Sequence, residues 1–312
     1  MPKKKEVPLF LLNGFLESGK TSLIKEIIEN NPEYQNNTTV IICCEEGEVE
    51  YDPSWLEKYG VKVEYVSKDS DFTAEWMESI DRKYMADRYV IEYNAFFDWD
   101  KQEFPEYMLI YQQITLIDAS TFKVMFGNMK KIYQSMLKDS SLVVFNRCEG
   151  INELASFRRQ VRAMNQQCQI AFEQSDGSLT TRLDEDLPYD LSKDEIMFEE
   201  DIYPIWYVEV FDNFEKYENK TFKFPVFVRK AFKNGDFVIG RQVMTCCAQD
   251  IQFLGYEVKN DTEVKVKEGD YVYLVCTVSR EFSKLAKEEV IMLHASSVTV
   301  MPKHKEEVLG MN

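Results

Sequence analysis

The feature that most constrains this chain is an eight-residue stretch near its start, Gly14-Phe-Leu-Glu-Ser-Gly-Lys-Thr21, which fits the pattern G-x-x-x-x-G-K-[ST]. It lies between the apolar residues 8–13 and a helical pattern over residues 20–30. Backbone N–H groups of such a loop can hold phosphate oxygens, and its Lys and Thr can reach the outer phosphates and Mg²⁺. The predicted nucleotide contacts in this stretch are Gly14, Glu17, Ser18, Gly19, Lys20, Thr21 and Ser22.

The N-terminal part of the chain alternates short apolar runs with amphipathic stretches, which is typical of parallel strands connected by helices. The predicted strands are residues 8–13, 39–44, 61–66, 88–93, 114–118, 141–146 and 169–173. The predicted helices are residues 20–30, 72–85, 122–137 and 154–166. We therefore expect an α/β domain over residues 1–176, a P-loop NTPase parallel sheet with helices on both faces.

The pattern changes in the C-terminal third to short runs rich in β-branched and aromatic residues. The predicted strands are residues 205–211, 221–228, 237–244, 263–266, 271–279 and 290–300. They favour a small all-β domain over residues 203–302, either an OB-like barrel or a compact sandwich. Residues 177–202, which are rich in Asp and Glu, are predicted to be an acidic linker, and residues 303–312 a tail.

A carboxylate ends one of the predicted strands, at Glu92 in the run Arg-Tyr-Val-Ile-Glu. A parallel sheet presents an acid at this position to a bound metal or to its waters. Many buried strands end in an acid by chance. A metal-binding role for Glu92 is therefore supported by the phosphate-loop motif earlier in the chain and not by its position alone. With that loop, Glu92 and Lys20 are the predicted catalytic residues, and Thr21 and Glu92 are predicted Mg²⁺ ligands.

A second strand end carries Asn146, Arg147 and Glu149. A carboxylate can accept hydrogen bonds from the ring N–H and exocyclic amine of guanine, while an amide faces its acceptor edge. The arrangement is similar to the N-K-x-D motif of GTPases, with Arg for Lys and Glu for Asp. The alternative is an ordinary polar strand end, without a base-reading role.

The formal net charge of −17 opposes general attraction to nucleic acids and to anionic membranes. Residues 201–312 hold 15 Lys and Arg against 17 Asp and Glu, a net charge of −2, so the β-rich domain is not basic either. The seven cysteines include two adjacent pairs, which suit a reducing compartment better than a disulfide framework. Since no long apolar stretch is visible, the sequence predicts a cytoplasmic protein without membrane insertion.

Taken together, residues 6–175 resemble the CobW family of GTPases, relatives of the nickel-enzyme maturation GTPases. The loop is similar to the family's GFLGSGKTT, with Glu17 in place of a glycine. Residues 44–52 resemble its N-E-F-G-E-x-G-x-D segment, which implies a switch I whose Asp52 approaches Mg²⁺ or its waters. The acidic residues of this segment are therefore solvated, metal-bound or near the Mg²⁺ site.

Three features depart from the family pattern. Its G-C-x-C-C metal motif is absent, since residues 53–91 contain no cysteine. The glycine of its E-x-x-G motif is Ala95, which restricts the backbone, and the guanine motif is altered at Arg147 and Glu149. The resemblance therefore implies a divergent member.

The C-terminal domain has a resemblance of its own. Arg241, Cys246, Cys247 and Asp250 are spaced as in the R-x-x-x-T-C-C-x-A-D-A stretch of YcgQ-like bacterial proteins, which occur beside predicted permeases. This resemblance implies metal or small-ligand handling, with a metal-receiving protein or a permease as partner. The two thiols and Asp250, with or without His294, are candidate Zn²⁺ ligands; the alternative is a structural cysteine pair.

The sequence thus favours a Mg-GTP-binding switch protein with slow GTP hydrolysis. The alternative is a regulatory or scaffold protein that binds nucleotide without hydrolysing it, and Ala95 is its best support. A third function, nucleic-acid binding through the OB-like domain, is disfavoured by that domain's net charge.

Overall fold

The computed structural model describes residues 6–35, 37–45, 51–181, 183, 187–244 and 251–310. The chain divides into two compact units, Met1–Leu183 and Asp184–Asn312. Each unit has its own sheet, and each is considered by itself. None of the described helices combines the length and apolar character needed to cross a membrane.

The first unit is built on an eight-stranded sheet with the order β3-β2-β4-β1-β5-β6-β7-β8. The strands are β1 Val7–Asn13, β2 Thr39–Cys43, β3 Lys62–Tyr65, β4 Arg88–Glu92, β5 Met108–Asp118, β6 Leu142–Asn146, β7 Gln169–Glu173 and β8 Leu179–Thr180. Every pairing is parallel except that of the short edge strand β8 with β7, which is antiparallel. The predicted α/β fold class is confirmed.

Helices cover both faces of this sheet. They are α1 Lys20–Asn30, α2 Pro32–Gln35, α3 Pro53–Tyr59, α4 Ala74–Tyr84, α5 Ala119–Asn128, α6 Lys130–Leu137 and α7 Leu154–Met164. Alternate residues of β2 belong to different cores: Ile41 packs with Ile24 and Ile28 of α1, whereas Ile42 packs with Met77 of α4. This alternation is the period of two that a strand buried on both faces requires.

The helix predictions differ from the structure at one predicted helix and at two short helices, α2 and α3, that were not predicted. The helix predicted over residues 122–137 is two helices, α5 and α6, which meet at Met129 with φ −126° and ψ 35°. Helix α3 was not predicted, although its sequence carries the signals for one. Asp52 caps its N-terminus, Pro53 is in its first turn, and Gly60 ends it in a left-handed conformation.

The second unit contains a closed five-stranded barrel. The strands of this unit, five of which form the barrel, are β9 Glu195–Met197, β10 Thr221–Ala231, β11 Phe237–Met244, β12 Ile251–Asn260, β13 Tyr271–Phe282, β14 Glu289–Val300 and β15 Leu309–Gly310. The barrel closes in the order β10-β11-β12-β14-β13, because β10 pairs with both β13 and β11. β12 and β14 are parallel, and the other barrel pairings are antiparallel. This five-stranded closure confirms the OB-like prediction.

The strand predicted at residues 205–211 is wrong, because this segment lies in helix α8, Tyr203–Asp212. Seven of its ten residues are buried, so the helix is apolar around most of its circumference and its sequence lacks the usual amphipathic period. Trp206 at its centre is fully buried and packs against the rings of Phe224 and Tyr256. The helix therefore supplies part of the core of this unit.

Two further predictions in this half need correction. Residues 263–266 are not a strand, and β12 at Ile251–Asn260, which was not predicted, takes that place in the barrel. The segment predicted as an acidic linker is partly structured, since β9 pairs with β10 and both Ile196 and Phe198 are buried. The many acidic residues of this segment dominate its composition. They therefore suggested a solvated stretch and concealed the few apolar residues that are buried.

Two glycines face each other across β11 and β12, Gly240 and Gly255, and the ring of Phe253 lies over both. A Cβ added at either position would come within 2.5 Å of this ring and would also meet a backbone carbonyl oxygen. The close approach of ring and backbone therefore requires glycine at both positions.

We expect Gly240→Ala to destabilise the second unit by about 1–3 kcal/mol, because overpacking forces the ring or the strand to move. Hydrogen exchange of the barrel amides should become faster, and the thermal unfolding temperature of this unit should fall. Gln242→Ala, an exposed position on the same strand, is the matched control and should change little. Equal stability of the two variants would contradict the packing argument.

Candidate nucleotide-binding site

The loop between β1 and α1 has a backbone that only glycine allows at two of its positions. Gly14 has φ +148° and Gly19 has φ +98°. A Cβ at Gly14 would lie 2.5 Å from the Leu116 carbonyl oxygen, and one at Gly19 would lie 2.9 Å from Nδ2 of Asn146. Glu17 also adopts a left-handed conformation, with φ 62°. The loop is thus packed tightly against the ends of β5 and β6.

Lys20 is buried beneath this loop, with only 3% of the residue exposed. Its ammonium donates hydrogen bonds to the carbonyl oxygens of Gly14 and Phe15, both at 2.8 Å. It also forms an ion pair with Glu45, at 2.6 Å. The positive charge is therefore held at the centre of the loop, where an anion would meet it.

Thr21 and Glu92 come together although 71 positions separate them. The Thr21 hydroxyl donates to Oε1 of Glu92 at 2.5 Å, and the Tyr51 hydroxyl donates to Oε2 at 2.7 Å. The thiol of Cys43 lies 3.6 Å from the same Oε2. The two hydroxyl donors to the buried carboxylate are neutral. A hydroxyl and a carboxylate oxygen this close are a donor set that suits Mg²⁺.

Asp52, which the family resemblance places near Mg²⁺ or its waters, lies at the start of helix α3. Its carboxylate accepts hydrogen bonds from the backbone N–H groups of Ser54 at 2.8 Å and Trp55 at 3.3 Å, and so caps helix α3. Hydrogen bonds from the Ser54 hydroxyl and from these amides lower the pKa of Asp52. The neighbouring residue Tyr51 contacts Glu92 instead, which the sequence analysis did not predict. Ser22 lies exposed in the first turn of α1.

Asn146 lies at the end of β6 and contacts the phosphate loop. Its amide donates to the Ser18 carbonyl oxygen at 2.7 Å, while its Oδ1 is buried and has no hydrogen-bond partner among the described residues. An unsatisfied buried acceptor is costly, so this oxygen is a candidate to accept a hydrogen bond from a ligand. Glu149 is exposed, four residues beyond the buried part of the strand.

Arg147 also turns toward the phosphate loop, with a left-handed φ of 51°. Its backbone N–H donates to Glu173 at 2.9 Å, and its guanidinium contacts Asp118 and the Glu17 carbonyl oxygen. Burial raises the pKa of Asp118, but hydrogen bonds from Ser120 and Arg147 outweigh this effect, and the pKa is lowered. Asp118 was not predicted, although it ends an apolar strand just as Glu92 does.

The adjacent thiols of Cys43 and Cys44 lie on opposite faces of the sheet, and each is buried in a different hydrophobic core. Burial raises the pKa of Cys43 to about 12, and the pKa of Cys44 is raised for the same reason. Burial therefore favours the neutral thiol at both positions.

The predicted zinc ligands Cys246, Cys247 and Asp250 lie outside the described residues. His294, the fourth candidate, contacts Glu281 at 2.6 Å and Ser279 at 3.1 Å. Hydrogen bonds from Lys259, Ser279 and His294 lower the pKa of Glu281 to about 2. Within the described parts of the chain, no three His, Cys, Asp or Glu side chains form a group that could hold a metal ion.

Arg241, the first residue of the C-terminal motif, is fully buried in the barrel. Its guanidinium pairs with Glu200 and donates to the Glu307 carbonyl oxygen at 2.9 Å. These contacts join the segment before the barrel and the segment after it to β11. In the described residues, Arg241 therefore has a structural role.

Comparison with known proteins follows this division of the chain. The model of the CobW/HypB/UreG nucleotide-binding domain matches residues 8–172, just over half of the chain, and the DUF1980 C-terminal domain matches residues 174–308. No curated protein sequence matches.

Three solved structures are similar at low identity. Zn(II)-bound YjiA GTPase from E. coli has 14% identity and a TM-score of 0.41, over 81% of this chain and 89% of that one. Hydrogenase maturation factor HypB from Archaeoglobus fulgidus has 17% identity and a TM-score of 0.39, over 54% and 80%. HypB from Helicobacter pylori in complex with nickel has 12% identity and a TM-score of 0.35, over 53% and 78%.

None of these three TM-scores reaches 0.5, so the assignment depends on the family models and on the chain's own topology. The phosphate loop, the parallel sheet and the acid at the end of β4 all lie within residues 8–172. The chain belongs to the CobW/HypB/UreG family of nucleotide-binding domains, joined to a DUF1980 C-terminal domain.

Proposed function

We propose that the first unit binds Mg-GTP and hydrolyses it slowly, as a switch concerned with metal or small-ligand handling. The contact between Thr21 and Glu92 carries this proposal. It brings a hydroxyl and a carboxylate from distant parts of the chain to one point beside the buried Lys20 ammonium. Family membership supports nucleotide binding and metal handling in general.

Each residue has a role that follows from its position. The loop amides from Gly14 to Ser22 and the Lys20 ammonium hold phosphate oxygens, while Thr21 and Glu92 hold Mg²⁺. A bound Mg²⁺ supplies charge neutralisation at the outer phosphates. Lys20 and Glu92 then act in hydrolysis by stabilising and orienting charge on the transferred phosphoryl group, since such catalysis is largely positional and electrostatic.

Guanine preference is assigned to the end of β6. Asn146 offers its buried, unsatisfied Oδ1 to the base. Arg147 and Glu149 complete the set, with Arg147 held by Asp118 and by the loop carbonyl of Glu17. The loop and the base-reading strand are thus connected directly, so nucleotide contacts at one affect the other.

A non-hydrolysing regulatory or scaffold protein remains the second candidate, and Ala95 supports it. The methyl group of Ala95 is buried in the same core as Phe122 and Phe145. This packing anchors the backbone that the family's glycine leaves free to move toward the outer phosphate. Release of phosphate from GTP by the purified protein separates the two candidates.

The cellular setting is also a proposal. The protein acts in the cytoplasm, and its partner is a metal-receiving protein or a permease, as the resemblance of the C-terminal motif implies. Cys246, Cys247 and Asp250 bind the metal, with Zn²⁺ as the first candidate because thiolates suit zinc.

We expect Lys20→Ala to weaken Mg-GTP binding at least ~10-fold, because a charge-assisted contact to phosphate is worth about 1.5–3 kcal/mol. Isothermal titration calorimetry measures the affinity. Lys123→Ala, at an exposed position that pairs with Glu153, is the control and should bind as the native protein does. Equal native affinity for ATP and GTP would refute base reading by Asn146 and Glu149.

Glu92→Gln should lower the turnover of GTP at least ~10-fold while changing GTP affinity less, if the carboxylate acts chiefly in the transition state. Native turnover should require Mg²⁺ and stay below ~1 s⁻¹, because unaided switch GTPases are slow. Phosphate release under single-turnover conditions measures both, with exposed Glu57→Gln as the control. Turnover that is unchanged in Glu92→Gln would remove this residue from the catalytic set.

Zinc binding should depend on both thiols of the C-terminal pair and on the nucleotide state. In the full chain, the Cys246→Ser, Cys247→Ser double variant should lose high-affinity Zn²⁺ binding. Native zinc affinity should differ between the GTP and GDP states by ~5- to 150-fold, the usual range for coupled sites. If the double variant binds zinc as tightly as the native protein, the site lies elsewhere. Equal affinity in both states would show that the two domains are not coupled.

A further inference from the structure

The Lys20 ammonium has three N–H donors, and the structure supplies three acceptors. Two are carbonyl oxygens of its own loop, Gly14 and Phe15, each at 2.8 Å. The third is the carboxylate of Glu45, at 2.6 Å. A lysine can donate no more than three hydrogen bonds. An incoming phosphate oxygen that takes a donor of Lys20 must therefore replace one of these acceptors.

Of the three acceptors, Glu45 is the one that resembles a phosphate. It is an anion, and the side chains of Lys20 and Glu45 are only 2% and 8% exposed. Burial raises the pKa of Glu45, and the positive charge of Lys20 partly offsets this rise. The backbone amide of Ala95 also donates a hydrogen bond to the Glu45 carboxylate. Glu45 thus engages both the lysine of the phosphate loop and the amide that follows β4.

The backbone of this segment is held next to the metal-binding residues. The Cys44 N–H donates to the Glu92 carbonyl oxygen at 2.9 Å, and the Cys43 thiol donates to the Glu45 carbonyl oxygen at 3.0 Å. Glu45 is therefore attached to the end of β2, one strand away from Glu92 in the sheet.

We propose that Glu45 is an intramolecular substitute for the outermost phosphate of the nucleotide, which a nucleoside triphosphate has to displace and a diphosphate does not. This inference rests on the proposed function of the site. Glu45 lies within residues 44–52, the segment whose family resemblance implies a switch I. Displacement of Glu45 by the third phosphate distinguishes the triphosphate-bound state from the diphosphate-bound state, and Glu45 lowers the preference for triphosphate over diphosphate.

The test is the affinity of Glu45→Gln for GTP and for GDP, measured by calorimetry in the full chain with Mg²⁺. The amide keeps the size of the side chain but removes the charge that competes with phosphate. We expect GTP affinity to rise at least ~10-fold and GDP affinity to change less than ~3-fold, because the charge-assisted hydrogen bond to Lys20 is lost from both the nucleotide-free and the GDP-bound states but is already absent from the GTP-bound state. Glu26→Gln, at an exposed position on α1, is the matched control.

Glu45→Asp provides a second variant with the charge retained. Its shorter side chain cannot reach Lys20 and the Ala95 amide together, so GTP affinity should rise by an intermediate factor. Thermal unfolding shows whether each variant is folded. Equal GTP affinity of folded Glu45→Gln and native protein, or an equal rise for GTP and GDP, overturns the inference. If the native protein binds neither nucleotide, the proposed function itself fails.

Discussion

The buried ammonium of Lys20 is the interaction on which the first unit's functional end depends. Taking a charge out of water costs several kcal/mol unless it is paired and hydrogen-bonded. The structure meets this requirement with two carbonyl oxygens of the loop and with the Glu45 carboxylate. The same contacts fix the loop, because its carbonyl oxygens at Gly14 and Phe15 must turn toward the lysine.

Around this charge lie the ends of four strands, of which β2, β4 and β1 are adjacent and β6 is separated from β1 by β5. β1 leads into the loop, β2 leads to Glu45, β4 ends in Glu92 and β6 ends in Asn146. They converge because the carboxyl ends of parallel strands meet at one edge of a sheet, where ligands of open α/β sheets bind. The hydrogen bonds of Glu92 to Thr21 and Tyr51 show that this convergence places side chains from distant segments in direct contact.

The second unit depends on a different constraint, which is closure of the sheet. Pairing of β10 with β11 removes the free edges that a small open sheet would expose. The Gly240–Gly255 pair and the apolar helix α8 permit the tight packing of this barrel. Its buried Arg241 pairs with Glu200 and donates to the Glu307 carbonyl oxygen, so residues before and after the barrel in the sequence belong to the same folded unit.

Much of the fold and part of the candidate site could be predicted from local patterns. The spacing from Gly14 to Thr21 predicts the loop because each residue's role depends on its immediate neighbours. All seven predicted strands of the first unit are present, because strands buried on both faces form apolar runs that are visible in the sequence. The same reasoning misread residues 205–211, where an apolar helix and an apolar strand look alike over so short a range.

The sequence by itself determined the phosphate loop, the parallel sheet, the acid at the end of β4 and the presence of a second, β-rich domain. Only the tertiary structure decided which acid meets Lys20, which side chains surround Glu92, and that Asp52 caps a helix. Likewise, only the structure showed that Asp118 and Glu173 contact Arg147. The physical reason is that local periodicity and spacing fix backbone conformation. Contacts between residues 25 to 130 positions apart depend instead on how the strands are ordered and on which polar groups must be satisfied on burial.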